Sequence, residues 1–203
     1  MKPYRVIAAL GLLLAFAAQE ASAQTKPMRI RGTVTALDGN VLSVKARDGK
    51  DLKITLADNA GVSAAKALTL ADIKPGDFVG SATRKGPDGA HMAIEVHLFP
   101  AALRGVVPEG HGPWDLEPGS MMTNATMKAM VQSAGKRELT LEYKGGAQKI
   151  IVPDGVPIFT TVPADRSLLV PGAYIFTAAQ VAADGKITAS RIQVSKDGVK
   201  PAQ

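Results

Sequence analysis

The chain of 203 residues contains no cysteine, a single tryptophan and few other aromatic residues. Without thiols it can form no disulfide and no thiolate metal site, so burial of an apolar core must hold the folded state together. The sequence has no Gly-x-Ser-x-Gly turn, phosphate loop or dinucleotide fingerprint. No stretch reaches the roughly 20 apolar residues that a membrane-spanning helix needs. These absences predict a protein that is neither an enzyme nor an integral membrane protein.

Residues 1–23 have the pattern of a secretory signal peptide. Lys2 and Arg5 give a positive start, residues 6–18 are apolar, and an Ala-Ser-Ala cleavage signal ends at Ala23. Cleavage is expected after this alanine. We therefore expect the mature protein to be periplasmic or secreted.

The formal net charge is +6, but basic residues alternate with acidic ones along the chain. A nucleic-acid binder usually concentrates its basic residues on one patch and adds aromatic side chains for stacking. Neither feature is visible, so no nucleic acid is expected as a partner. The positive balance indicates solubility and weak attraction to anionic surfaces.

Short segments with an apolar residue at every second position predict antiparallel β-strands. In the segment RIRGTVTA, for example, Ile30 and Val34 fall on one face, whereas Arg29 and Arg31 fall on the other. Asp-Gly turns separate several of these segments, as they do in β-hairpins. The sequence therefore predicts an all-β protein.

The second half of the chain repeats the first at a shift of 96 residues. IKPGDFVGSATRKGPDGAHMAIEVHL (73–98) aligns without a gap with LVPGAYIFTAAQVAADGKITASRIQV (169–194). Upstream, Val34 aligns with Met130, which makes Met130 a predicted core residue. Each half is expected to close into a barrel of about five strands, because closure removes exposed strand edges.

This division predicts two tandem OB-like small antiparallel β-barrels, where OB stands for oligonucleotide/oligosaccharide-binding. The first barrel covers residues 28–99 and the second covers residues 126–196. An irregular strap rich in proline and glycine, residues 100–125, joins them, and residues 197–203 form a C-terminal tail.

The segments RGTVTALDGNVLSVKARDGKDLKITL, IKPGDFV and DGAHMAIEVHLF resemble a bacterial exported domain of unknown function, DUF5666. The resemblance extends over nearly all of the mature chain. It implies an OB-like small barrel and export from the cytoplasm. It transfers no catalytic residue to this chain.

All three histidines lie close together in the sequence, with two glutamates among them. Residues two apart on one face of a strand are separated by about 7 Å, so Glu95 and His97 can reach one cation. The loop that follows can bring Glu109 and His111 over the same face, and His91 lies near the start of the strand. Imidazole and carboxylate ligands suit Zn, Cu or Ni. These five residues are therefore a candidate metal site.

The second half of the chain lacks this set, because Glu95 aligns with Arg191 and His97 aligns with Gln193. A second interpretation is that Glu95 and His97 belong to a solvated outer face, since antiparallel strands often present polar residues outward. In both interpretations the alternate residues of the strand point to the core: Met92, Ile94, Val96 and Leu98.

The strap contains large apolar residues that a flexible linker would lack. Trp114 is expected to pack between the barrels, and Arg104 to pair with Asp115 or Glu109. In the alternative interpretation, Arg104, Trp114 and Asp115 line a ligand cleft, because long loops without periodicity are often functional.

Two functions fit these features. The first is a non-catalytic periplasmic binding or accessory protein that binds a transition metal weakly through the first barrel and the strap. The second is an interaction or scaffold module that docks on an envelope protein or on a polyanionic partner.

Overall fold

A computed structural model describes residues 27–133 and 135–201, so the predicted signal peptide lies outside the described residues. The strands are β1 (Met28–Asp38), β2 (Val41–Ala46), β3 (Asp51–Ala67), β4 (Phe78–Lys85), β5 (His91–Leu98), β6 (Gly110–Pro113), β7 (Met121–Ser133), β8 (Lys136–Tyr143), β9 (Gly146–Ile151), β10 (Ile158–Ala164), β11 (Tyr174–Val181) and β12 (Ile187–Val194). Short 3-10 helices cover Leu70–Asp72, Ala101–Leu103 and Arg166–Leu168. The predicted all-β class is confirmed. Within the described ranges, no helix has the length and apolar character needed to cross a membrane.

Five strands from the two ends of the chain close a β-barrel. β1, β2 and β3 are successive antiparallel neighbours. β11 pairs with the other edge of β1, β12 pairs with β11, and β12 runs parallel to β3 and so closes the ring. All five strands contribute apolar side chains to its interior, among them Ile30, Leu42, Ile54, Ile175 and Ile192.

The strands of the middle of the chain pair in the same order. β7, β8 and β9 are antiparallel neighbours, β4 pairs with both β7 and β5, and β5 runs parallel to β9 over two residue pairs. Their apolar side chains form a separate core that includes Val79, Val96, Met127, Leu139 and Ile150. β6 is added to β7 outside this order, and β10 lies between β3 and β5.

The predicted tandem barrels, residues 28–99 and 126–196, are not confirmed, because strand pairing crosses this boundary. β1 to β3 pair with β11 and β12, and β7 to β9 pair with β4 and β5. β1 contacts the residue before β11 in the same way as β7 contacts the residue before β4. The Val34 N–H donates to the Ala173 carbonyl at 2.8 Å, and the Met127 N–H donates to the Asp77 carbonyl at 2.8 Å.

The register between β4 and β5 and that between β11 and β12 follow the shift of 96 residues seen in the sequence. Gly80 lies opposite His97, and 96 residues later Phe176 lies opposite Gln193. β3 and β10, which connect the two sets of strands, pair antiparallel with Ala65 opposite Thr161. These two residues are themselves 96 positions apart, so the repeat relates each of them to the other. A pseudo-two-fold axis therefore passes through this pair.

The equivalent of Val34 is Met127, not Met130. β1 has a bulge directly after Val34 and β7 has one directly after Met127, and the two residues make the same backbone contacts. Met127 is 1% exposed, whereas Met130 is only partly buried against the same core. β1 and β7 are therefore offset by 93 residues rather than 96, and Met130 is the equivalent of Leu37.

A second bulge changes the inward face of β5. The register with β4 shifts between Ala82 and Thr83, which leaves Ile94 without an opposite residue. As a result Ala93 joins Val96 among the buried core residues, and Ile94 does not. The predicted inward position of Ile94 is therefore wrong.

The first half of the chain obtains two barrel strands, β11 and β12, from the second half, and we call this the exchange of strands. It predicts that residues 24–107 alone do not form a folded monomer. β1 to β3 would keep two open edges, and the apolar faces that β11 and β12 cover would be exposed to water. Size-exclusion chromatography and an amide correlation spectrum of this fragment, beside those of residues 24–203, test the prediction. An unfolded or dimeric fragment is expected, and a monomer with well-dispersed amide signals would contradict it.

Candidate functional site

The five predicted metal ligands do not converge. Glu95 and His97 are buried, at 2% and 6% exposure, on the face of β5 that points away from its core. His91 and His111 lie in contact with each other at a different place, and Glu109 accepts a hydrogen bond from the Lys144 backbone N–H at 3.2 Å. Among the described residues no group of three or more histidine, aspartate or glutamate side chains is arranged to hold a metal ion.

His97 packs as an aromatic side chain between two phenylalanines. Its ring centroid lies 4.2 Å from that of Phe99 and 4.6 Å from that of Phe159, and the Phe159 ring is stacked on it at 18°. Its Nε2 atom is buried without a hydrogen-bond partner. Burial lowers the pKa of His97 to about 3, so the ring is neutral. The solvated outer face predicted for this residue is wrong, because the Phe99 and Phe159 rings pack against its imidazole.

The charge of Glu95 acts on the same tyrosine of the barrel as the charges of two arginines. Burial raises the pKa of Tyr174, the charges of Arg31 and Arg47 lower it, and the charge of Glu95 raises it. All three charged groups therefore act at the Tyr174 hydroxyl. The outward side of the barrel is near β5, since Phe159, which stacks on His97, clusters with Phe176 of β11.

His91 and His111 form a pair of half-buried imidazoles. Their ring centroids are 5.2 Å apart and their planes are nearly perpendicular. The Nδ1 of His91 lies 3.4 Å from the Thr83 hydroxyl, and the Nδ1 of His111 lies 2.8 Å from the Thr123 hydroxyl. Burial, followed by the charge of His91, lowers the pKa of His111. We call His91 and His111 the histidine pair.

A cavity of about 180 Å³ opens beside the first four residues of β1. Three guanidinium groups meet Asp115 there. Arg31 donates to the Asp115 carboxylate at 3.1 Å, Arg47 donates to its backbone carbonyl at 3.0 Å, and Arg29 lies 3.8 Å from the carboxylate. Together with Trp114, these four residues form what we call the arginine cleft.

Trp114 packs against the barrel and holds two of these arginines. The guanidinium carbon of Arg29 lies 4.1 Å above the centre of the Trp114 ring, and that of Arg31 lies 5.5 Å above it. Arg31 also lies 5.0 Å from the Phe176 ring centre. Cation–π contacts of this kind fix the orientation of a guanidinium group. Of the residues predicted to line a ligand cleft, Asp115 lines the cavity and Trp114 packs on two of its arginines, whereas packing of Trp114 between two barrels stays a prediction.

Arg104 lies at a different place from the arginine cleft. It donates to the Thr126 hydroxyl at 3.0 Å and to the Gly76 carbonyl at 2.6 Å, and it lies 5.2 Å from the Phe78 ring centre. These contacts attach the strap to β4 and β7. The predicted pairing of Arg104 with Asp115 or Glu109 is not among its contacts.

The sequence alone does not single out the three arginines of the cleft. The alternation in β1 does place Arg29 and Arg31 on its outward face. That signal carries no ligand chemistry by itself, because outward arginines are common on solvated strands. The approach of Asp115 and Arg47 depends on how the strap folds back, and local patterns do not encode this.

Comparison of the chain with protein-family models, curated proteins and solved structures found no match. The resemblance to DUF5666 therefore stays a prediction.

His97 predicts a specific dependence of stability on pH. Because the pKa of the folded state, about 3, lies below the ordinary 6.5, the neutral ring stabilises the fold above pH 6.5. This contribution is lost as the pH falls toward 3. The loss reaches about 1.4 kcal/mol per pH unit, and about 2 kcal/mol between pH 6.5 and 4.5.

Urea unfolding of the wild type and of His97→Gln at pH 6.5 and 4.5 measures this difference. Glutamine is the matched replacement, because Gln193 occupies the equivalent position. The wild type should lose about 2 kcal/mol more than the variant over this interval. Equal losses in the two proteins would show that His97 is not buried in its neutral form.

Proposed function

We propose that this chain is an exported, non-catalytic interaction module that binds an anionic group of a partner in the arginine cleft. The observation that carries this proposal is the convergence of three guanidinium groups beside an open cavity. Arginine is suited to the task, since its planar fork of donors matches carboxylate, sulfate and phosphate groups.

The charges of the cleft favour an anion. Asp48 at the rim is paired with Lys50 at 2.9 Å, which leaves Asp115 and the buried Glu95 to oppose the three arginines. Even with both carboxylates ionised, the guanidinium groups are in excess by one charge. The side chains of Arg29 and Asp115 are 29% and 45% exposed, and Arg47 is exposed, so two of the three guanidinium groups are accessible from solvent.

The cleft is also held in place before a ligand arrives. The Arg31 side chain is 3% exposed and lies between the rings of Trp114 and Phe176. Side chains that are already ordered lose little conformational entropy on binding. We further propose that β4, β5, β7, β8 and β9 form a second OB-like barrel, so that the cleft is built on a rigid two-barrel scaffold.

Fluorescently labelled poly-L-glutamate, titrated with the mature protein, tests the anion site. Replacing Arg29 and Arg47 by alanine should weaken binding at least tenfold, because charge-assisted hydrogen bonds contribute about 1.5–3 kcal/mol each. The matched control is the double replacement of the exposed Arg84 and Arg191, which removes the same charge elsewhere. Equal weakening by the two double variants would show that only net charge matters.

A second candidate function is weak binding of a divalent Zn, Cu or Ni ion by the histidine pair. Two imidazoles that share a tetrahedral ion have ring centroids roughly 5 Å apart, and those of His91 and His111 are separated by 5.2 Å. Threonine hydroxyls lie at the Nδ1 atom of each ring, which leaves both Nε2 atoms for a further ligand. With two protein ligands, water completes the coordination and the affinity is low.

Calorimetric titration with Zn(II), Cu(II) and Ni(II) tests this second function. Binding heat should disappear in His91→Ala and in His111→Ala but persist in His97→Gln, since His97 is enclosed by phenylalanine rings. The absence of heat in the wild type, or its loss only in His97→Gln, would rule out the histidine pair.

A further inference from the structure

Two strand segments occupy equivalent places in the two sets of strands. Met28–Arg31 of β1 runs beside β11, and Met121–Asn124 of β7 runs beside β4. Their registers agree, because the residues that face the last position of each segment, Phe176 and Gly80, are 96 positions apart. The two segments are therefore related by the pseudo-two-fold axis.

The two segments differ at their other edge, the one that faces away from β11 in β1 and away from β4 in β7. On β7, residues Met121–Asn124 pair with β6, so an extended piece of the chain fills that edge. On β1, no described strand pairs with Met28–Arg31 on the corresponding side, where β2 is paired only from Gly32 onward. The cavity of about 180 Å³ opens at this place instead.

Backbone groups of β1 point into this cavity. The carbonyl of Arg31 accepts a hydrogen bond from the Arg47 N–H at 2.8 Å, which shows that it faces the side of β2. In an antiparallel sheet, residues two apart direct their N–H and C=O groups to the same edge. The N–H and C=O of Arg29 therefore face the open edge beside the cavity.

We propose that an extended, acidic segment of a partner protein adds to the Met28–Arg31 edge as a β-strand, in the place that β6 takes on β7. Main-chain hydrogen bonds to Arg29 hold the segment, and its carboxylates meet the guanidinium groups of Arg29 and Arg47. The inference rests on the proposed function, because it assigns the partner of the same cleft.

The chain itself indicates which residues such a segment carries. Asp115 follows shortly after β6 and presents its carboxylate to Arg31 and its carbonyl to Arg47. An acidic residue on an added strand offers the same two groups. An edge of four residues spans about 13 Å, which matches a segment of about four residues. Charged edges also discourage pairing with uncharged strands, which favours an acidic partner.

A labelled peptide of alternating glutamate and valine, titrated with the full mature protein, tests strand addition. Two further peptides have the same sequence with N-methyl groups on the odd or on the even backbone amides, which removes strand hydrogen bonds and keeps the charge. At least one methylated peptide should bind at least tenfold more weakly than the parent. The amide hydrogen of Arg29 should exchange more slowly in the parent complex, whereas that of Met122, on the edge already covered by β6, should not change.

The possible results separate this inference from the proposed function. If all three peptides bind equally, and binding still requires Arg29 and Arg47, the cleft binds anions without adding a strand and the inference is wrong. If no peptide binds, the inference is also wrong. In that case the titration with poly-L-glutamate decides independently whether the proposed function stands.

Discussion

The antiparallel pairing of β3 with β10 is the contact on which the architecture depends. It places Ala65 opposite Thr161 at the pseudo-two-fold axis and directs the chain from one set of strands into the other. Each half of the chain then supplies three strands to one set and two to the other. The barrel core draws on both halves, with Leu42 packed in the same cluster as Ile175. In a protein without cysteine, this exchange makes the two halves depend on each other through packing and main-chain hydrogen bonds alone.

The exchange also explains why polar groups are buried between the two sets of strands. Outward faces that would be solvated on an isolated barrel are pressed together, so that His97 stacks on Phe159 and Arg31 lies against Phe176. The ring nitrogen Nε2 of His97 and the Nε of Arg31 have no hydrogen-bond partner there. Polar side chains at the centre of this contact, such as those of His97 and Arg31, are structural, whereas Arg29 and Arg47 at its rim keep access to solvent and to a ligand.

Much of the local structure could be predicted from the sequence, but the choice of strand partners could not. Period-two alternation and Asp-Gly turns indicated the strands, and the repeat correctly aligned β4 and β5 with β11 and β12. Because β4 and β11 carry equivalent residues, such as Gly76 and Gly172 at their entry, β1 has no local reason to prefer one over the other. The metal site failed for a related reason: the spacing of Glu95 and His97 describes one strand, and it contains no information on what covers that strand. Both predictions failed because they depended on contacts between residues that are far apart in the sequence.

Engineered cysteine pairs test the exchange of strands most directly, since the natural chain has no cysteine to interfere. β1 pairs with β11 with Arg29 opposite Ala178, whereas closure within one half would place Arg29 opposite Ala82, 96 positions earlier. Exchange predicts that Arg29→Cys with Ala178→Cys forms an intramolecular disulfide in the monomer under mild oxidation, and that Arg29→Cys with Ala82→Cys does not. A disulfide in the second variant and none in the first would contradict the exchanged barrel.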